Sequence, residues 1–307
     1  MLIIKKFYLG VLLVLMVSMV GCSSGGSSSS GSGVRDFQSW SQVETNKEYE
    51  MSGISLDGEY TADETTWAIT SISTANLSEN SSVNFTMDDN NLLTDVSIKT
   101  PTTSVSFSKS SGDNFYSEHP FIVGLSDDGT KEIYAADPYI MDWNYQTFGF
   151  WLTGQETGAG IAGSISAGAP TAIGGIPTSG TGTYTGFSGG AYIDPAGNDF
   201  MAIGELKVVA DFGPARSLDF SATDTHVISR YSGNIDPNPD LDLHGTLTYS
   251  ADSNNFSGNI TSANDSLSGT AHGQFYGPSA QELGGVFTTT GSGIESYHGS
   301  FGAKRVD

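Results

Sequence analysis

Between residues 182 and 304 the chain alternates apolar or glycine residues with polar ones over eight successive runs, near 182–193, 200–212, 217–224, 240–250, 255–262, 266–277, 283–290 and 296–304. In 240–250, Leu241, Leu243, Gly245, Leu247 and Tyr249 share one face, and Asp242, His244, Thr246 and Thr248 the other. In 266–277, Leu267, Gly269, Ala271, Gly273 and Phe275 oppose Ser268, Thr270, His272, Gln274 and Tyr276. Leu218, Phe220 and Ala222, and again Tyr297, Gly299, Phe301 and Ala303, keep the same step. A period of two is the strand period, with one set of side chains inside and the other in water. The links are too short for helical crossovers, so the runs predict an eight-stranded antiparallel up-and-down β-barrel over 182–307. Glycines on the inward face let a small barrel bend and leave its interior packed, with little room for a ligand. The outward Asp, His, Thr, Ser and Gln exclude a membrane-spanning barrel, whose outer face must be apolar.

The preceding part, 34–157, is strand-rich but less regular. Candidate strands lie near 47–54, 57–62, 66–72, 82–87, 93–99, 103–108, 131–135 and 146–153, with turns at Asp57-Gly58 and at 88–91. Residues 158–181 are dominated by Gly, Ala, Ser and Pro and read as a connector between the two domains. No long amphipathic helical pattern is present, so the fold class is all-β.

The N-terminus carries an address. Lys5 and Lys6 precede an apolar stretch, Leu9 to Val20, too short to span a bilayer, and Gly21 stands before Cys22. Residues 1–21 read as a signal peptide ending at a bacterial lipobox, with Cys22, the single cysteine, as the lipidated first residue of the mature chain. Several acyl chains on one residue, at about 0.8 kcal/mol per buried methylene, anchor a protein firmly. Ser23, rather than Asp, after the cysteine suits passage to the outer membrane. Residues 22–33 form a flexible Ser/Gly tether. Loss of Lys5 and Lys6 takes the formal charge from −22 to −24, which repels nucleic acid; the same charge suits solubility and names no partner.

Motifs with chemistry are few. Gly186-Phe187-Ser188-Gly189-Gly190 has the spacing of a hydrolase nucleophile elbow, but a strand and not a helix follows it. Asp236, Asn238, Asp240 and Asp242 alternate like the start of a calcium loop, yet Leu241 and Leu247 stand where that loop needs Gly and Glu. His119, His226, His244, His272 and His298 show no metal-ligand spacing, and the last three fall on outward faces where solvated histidine is expected. No metal site, phosphate loop or basic patch emerges, and no catalytic residue can be named. The densest aromatic stretch is 137–152. Its later part reads as a core strand. Tyr139, Ile140, Met141 and Trp143 read as a loop whose side chains suit an interface.

GTGTYTGFSGGAYI (180–193) and GQFYGPSAQELGGVF (273–287) resemble signature segments of the transferrin-binding protein B β-barrel family. DFQSWSQVETNKEYEMSGISLDGEYT (36–61) and YQTFGFWLTG (145–154) are similar to the start and end of the handle domain in its single-lobe members. The resemblance implies a handle (34–157) followed by the barrel, in a lipid-anchored protein displayed on the surface of a Gram-negative outer membrane. It implies that Phe275, Tyr276, Gly277, Pro278, Glu282, Gly284 and Gly285 are structural residues of a strand pair and its turn, serving barrel closure. It also implies a binding protein, without naming its ligand, and export by a dedicated translocon; relatives of this architecture include binders of transferrin, of haemoglobin or haem, and of complement factor H. The function expected is capture of a protein or haem-type ligand in iron or haem acquisition, with no cofactor, a host or environmental iron or haem protein as partner, and an outer-membrane transporter. The alternative is a surface shield or adhesin that binds a host regulator or another cell and has no nutrient role.

Overall fold

The computed structural model describes residues 33–230 and 232–307. The expected signal peptide, Cys22 and the tether up to residue 32 lie outside the described residues. Val34–Asp307 is one compact unit built on two sheets, antiparallel except where β1 pairs with β2. Among the described residues the only helical pieces are short 3₁₀ turns, none long or apolar enough to cross a membrane.

The handle strands are β1 (Arg35–Asp36), β2 (Glu48–Ala62), β3 (Ile69–Ile72), β4 (Asn76–Met87), β5 (Leu93–Lys99), β6 (Ser104–Ser108), β7 (Asn114–Glu118), β8 (Phe121–Leu125), β9 (Lys131–Ala136), β10 (Gln146–Thr153) and β11 (Ala159–Gly168). They follow the order β6-β5-β4-β2-β11-β10-β9-β8-β7, with β1 and β3 attached to β2. The sheet curls until its two edges face each other. Phe107 of β6 and Phe115 of β7 meet edge to face across the seam, with ring centroids 6.5 Å apart. Inside the curl lies an apolar core that includes Trp40, Tyr49, Met51, Phe85, Ile98 and Trp151. The handle is thus a second, nearly closed barrel.

Two expectations for this part are corrected. Asp57-Gly58 is not a turn; β2 runs straight through it. The Asp57 carboxylate accepts hydrogen bonds from the hydroxyls of Thr100 at 2.6 Å and Thr102 at 2.6 and 2.8 Å, so partners distant in sequence hold extended a pair that alone favours a bend. Residues 159–168 of the 158–181 connector are also a strand. β11 pairs with both β2 and β10, and its small residues have a packing reason. Any Cβ at Gly163 would collide with the Trp151 indole, while the alternate residues of β11 face the second sheet. The true link is the stretch 169–180.

The second sheet contains β12 (Thr181–Ile193), β13 (Asp199–Asp211), β14 (Ser217–Ser229), β15 (Ile235–Pro237), β16 (Leu243–Tyr249), β17 (Asn255–Ser262), β18 (Ser268–Tyr276), β19 (Glu282–Thr290) and β20 (Ser296–Arg305). Sequential neighbours pair, β20 pairs with β12 and β13 pairs with β14, so eight strands close a ring with β15 added outside on β14. The expected alternation fills the interior: Leu218, Phe220, Ala222, Leu243, Leu247, Ala271, Phe275, Phe287, Tyr297 and Phe301 are all buried there. Phe275 is its hub, with its ring centroid 5.3 to 6.4 Å from those of Tyr184, Phe212, Tyr249 and Phe256.

Candidate ligand-contact loop and the joint beneath it

Residues 137–145 leave β9 and re-enter at β10 as a compact turn. The Asp137 carboxylate accepts from the backbone N–H groups of Tyr139 at 3.0 Å and Ile140 at 3.4 Å. The Met141 N–H donates to the Asp137 carbonyl at 3.1 Å and the Trp143 N–H to that of Pro138 at 2.9 Å. Tyr139 and Ile140 project outward, 40% and 43% exposed. Tyr139 is steadied edge to face by Trp40 at 6.0 Å. Met141 is half-buried against a cluster containing Phe148 and Phe150. Trp143 is buried, its ring 5.8 Å from that of Phe148. Of the four loop residues singled out in the sequence, two therefore reach solvent, each with about two-fifths of its surface, and Trp143 anchors the loop.

The loop sits on a joint between handle and barrel. Many outward residues of β12, β19 and β20 are small or apolar, among them Gly189, Ile193, Gly284, Val286, Ser300 and Gly302, and face β2, β10 and β11. Val286 packs with Ile54 and Leu56, and Ile193 with Tyr60, Ile69 and Leu152. A Cβ at Gly189 would lie 3.2 to 3.5 Å from Phe121, Phe148 and Phe150. The Ser300 hydroxyl donates to the Gly149 carbonyl at 2.8 Å. The polar outward face expected for the whole barrel thus gives way here to a docking strip.

The FYGPSAQELGG segment serves both sides of the barrel wall. Phe275, Leu283 and Gly285 point inward. Tyr276, Glu282 and Gly284 point outward into the joint, where the Tyr276 hydroxyl meets that of Ser166 at 2.9 Å. The Glu282 carboxylate accepts the N–H of Asn144 at 2.6 Å and of Tyr145 at 2.8 Å. Gly284 is the register partner of Gly302, and the two form a slot for the Gln146 side chain. A Cβ at Gly284 would sit 2.8 Å from Gln146 Oε1, and one at Gly302 2.5 Å from Nε2. Between the strands, Gly277 and Ala280 take left-handed φ angles of +82° and +56°. The Gly277 and Ala280 carbonyls accept from the hydroxyls of Thr171 and Tyr184, both at 2.6 Å. Pro278 lies against Gly175 of the link. Barrel closure, the role expected for this motif, describes its inward half; the outward half holds the handle.

Residues 176–305 match the family model described as the C-lobe and N-lobe beta barrels of Tf-binding protein B. The barrel belongs to the transferrin-binding protein B β-barrel family. No curated protein sequence matches the chain. Among solved structures, a mutant of transferrin binding protein B from Haemophilus parasuis superposes with a TM-score of 0.43 at 13% identity, covering 84% of this chain and 77% of that one. The N-lobe domain of lactoferrin binding protein B from Moraxella bovis gives 0.40 at 13%, covering 83% and 100%. Intact Ap-TbpB, with N and C lobes, gives 0.43 at 18%, covering 81% of this chain but 46% of that one, so the chain spans about half of the bilobed protein.

The remaining candidates on this TbpB-like barrel are placed as follows. Ser188 is buried in the barrel and its hydroxyl faces the Gly204 carbonyl at 3.4 Å. Asp242 accepts from the Thr225 N–H at 3.0 Å, Asp236 lies in β15 and Asp240 in a 3₁₀ turn after Asn238. Among the described residues no three His, Cys, Asp or Glu side chains gather to hold a metal. His244 is exposed and pairs with Thr261 at 3.2 Å. His272 and His298, expected in solvent, are both partly covered. Burial lowers the pKa of His272 and pushes that of His298 down to about 4. His298 lies on the outward face of β20, which the handle covers. The docking strip was missed because period-two reasoning assigns faces without saying what lies opposite. Its signal was glycine on both faces of one strand pair: Gly284 with Gly285, and Gly299 with Gly302.

Proposed function

We propose that this protein is a lipid-anchored lipoprotein of a Gram-negative outer membrane that captures an iron- or haem-carrying protein at the cell surface. Cys22 is its anchor, and Tyr139 and Ile140 are contact side chains. The observation that carries the reading is the exposed Tyr139–Ile140 pair, on a turn closed by Asp137 and seated against a barrel of this family. Aromatic and aliphatic side chains fixed in one conformation lose little entropy on binding and make effective interface anchors. The relatives' names supply the ligand class, since they bind transferrin or lactoferrin. The fold favours a macromolecular ligand over an enclosed one. The barrel interior is filled by side chains, an apolar cavity inside the handle measures about 40 Å³, room for a water molecule or two, and the larger hollow of about 370 Å³ beside Glu48, Asp95 and Ser106 is open rather than enclosed. An outer-membrane transporter that accepts the cargo and a translocon that exports the chain are the partners this reading entails.

The test is a pull-down on the immobilised mature chain with haem, haemoglobin, transferrin, lactoferrin and whole serum. Retention of an iron or haem protein, lost in Tyr139→Ala/Ile140→Ala, supports the reading. Retention of none of them, or retention indifferent to that double change, counts against it. Replacement of Cys22 by Ser releases the protein from the membrane fraction if the anchor is correctly assigned.

A further inference from the structure

The open hollow on the outer face of the handle has a lining set by strand register. Phe85 of β4, Val96 of β5 and Phe107 of β6 are buried in the handle core, so the residues on either side of them point outward. Glu48 of β2 stands opposite Thr86 of β4, Thr86 opposite Asp95 of β5, and Asp95 opposite Ser108 of β6. In the next row, Asn84, Ser97 and Ser106 stand opposite one another on β4, β5 and β6. The short side chains of Thr86, Ser97 and Ser106 leave the space between the longer ones unfilled. The resulting hollow of about 370 Å³ falls in the range of small-molecule sites, roughly 300–1,000 Å³.

Its lining suits one kind of chemistry. Two carboxylates line it and no Lys or Arg does. Lys109 is committed to the Asp88 carboxylate at 3.0 Å and Lys131 to the Ser106 carbonyl at 3.1 Å. Asp95 accepts from the hydroxyls of Ser108 at 2.5 Å and Thr94 at 2.9 Å, one on each oxygen, which leaves further lone pairs. Glu48 is steadied by Asn84, whose Nδ2 donates to it at 3.1 Å. The Asn84 Oδ1 is buried without a partner, and the Thr86, Ser97 and Ser106 hydroxyls make no hydrogen bond among the described residues. Polar groups left unmatched by the chain call for partners from outside it.

The candidate partners narrow quickly. An anion would meet Glu48 and Asp95. A shared metal ion is disfavoured, because these two carboxylates stand two strands apart, roughly 10 Å between backbones, and no three His, Cys, Asp or Glu side chains gather among the described residues. An apolar ligand would strip water from both carboxylates without replacing it. An amine matches the carboxylates but offers nothing to the hydroxyl protons. A ring bearing several hydroxyls matches every group: it donates to Glu48 and Asp95 and accepts from Thr86, Ser97 and Ser106. Neighbouring strands set these groups about 5 Å apart, a spacing that a sugar ring bridges.

We propose that this hollow is a binding site for a neutral saccharide, separate from the contact loop 137–145. The site goes beyond the capture of an iron or haem protein and does not rest on it.

Amide chemical shifts of the mature chain, titrated with lactose, maltose and chitobiose, test the site; sialyllactose and spermidine are the charged comparisons. At least one neutral saccharide should move the amides of residues 84–86, 95–97 and 106–108 saturably and leave those of β16 and β17 in place. Asp95→Ala removes a charged acceptor and should weaken binding roughly 10- to 100-fold. Ser97→Tyr fills the hollow and should abolish it, with the unmoved β16 and β17 amides reporting an intact fold. Should Ser97→Tyr fail to fold, Ser106→Tyr fills the same space from the neighbouring strand. No saturable shift with any of the three neutral saccharides overturns the proposal. So does tighter binding of sialyllactose or spermidine, or binding that survives the filled hollow. Tyr139→Ala/Ile140→Ala should bind saccharide as the native chain does; a loss there would place the sugar on loop 137–145 and overturn the proposal equally.

Discussion

The slot between Gly284 and Gly302 makes a strong prediction about how the two domains hold together. A methyl group at Gly302 would sit 2.5 Å from Gln146 Nε2, 2.7 Å from its Oε1 and 2.9 Å from the Trp143 ring. Gln146 has little room to retreat, because Gly284 on the neighbouring strand lies beneath the same side chain, which has no access to solvent. Overpacking of this kind costs about 1–3 kcal/mol. Glycine to alanine returns ~0.4–1 kcal/mol by restricting the unfolded chain, so Gly302→Ala should destabilise by roughly 1–2 kcal/mol. Gln146→Ala should cost little, within about 1 kcal/mol, because the packing it loses is offset by removal of a buried amide that makes no hydrogen bond. In the double variant the new methyl enters the space the glutamine vacated. It should be more stable than the two single changes predict by roughly 1–2 kcal/mol. Urea unfolding of the four proteins, read by tryptophan fluorescence and far-ultraviolet circular dichroism, gives the coupling. Single changes that add to within about 0.5 kcal/mol would show that the side chain is not confined by these glycines.

Further outcomes follow from the same joint. Glu282, raised to about 7 from 4.5, contributes stability that is complete below the unfolded value and is lost as pH rises through 7, up to ~3 kcal/mol. His298, lowered to about 4 from 6.5, contributes in the opposite sense: present above 6.5 and lost as pH falls through 4. Urea midpoints should therefore decline toward both ends, and His298→Gln should flatten the acid limb alone. Tyr276→Phe, which leaves the buried Ser166 hydroxyl without its 2.9 Å partner, should cost ~1–2 kcal/mol by the same unfolding assay. Tyr139→Ala and Ile140→Ala should each change stability by less than about 0.5 kcal/mol, so any loss of ligand retention in those variants is a loss of contact.

What the sequence disclosed, and what it hid, follows from how far each signal reaches. The barrel strands away from the handle were legible because each is half-buried, and half-burial writes itself as alternation; Leu241, Leu243 and Leu247 needed no knowledge of their neighbours to be assigned inward. β11 was illegible for the opposite reason. It is covered on both faces, by Trp151 on one side and the barrel on the other, and a strand squeezed from both sides is reduced to Gly, Ala and Ser, the composition of a linker. The same squeeze explains Gly284 and Gly302, which read as barrel-bending glycines until the Gln146 side chain is found between them. Glu282 was legible as part of a motif but not as a buried acid, since its burial is supplied by loop residues 144 and 145, almost 140 positions away. Tyr139 and Trp143 looked alike in sequence, two aromatics in one loop. They separate only because Asp137 turns the chain between them, sending one ring outward and the other onto Gly302. A contact surface and its anchor thus share one short segment, and the anchored end rests on the Glu282 carboxylate through the N–H groups of Asn144 and Tyr145. Substitutions at Glu282 should therefore alter the exchange of residues 137–145 while leaving the barrel amides of β16 and β17 untouched, and an effect that spreads evenly through both sheets would mean that the joint opens as a whole.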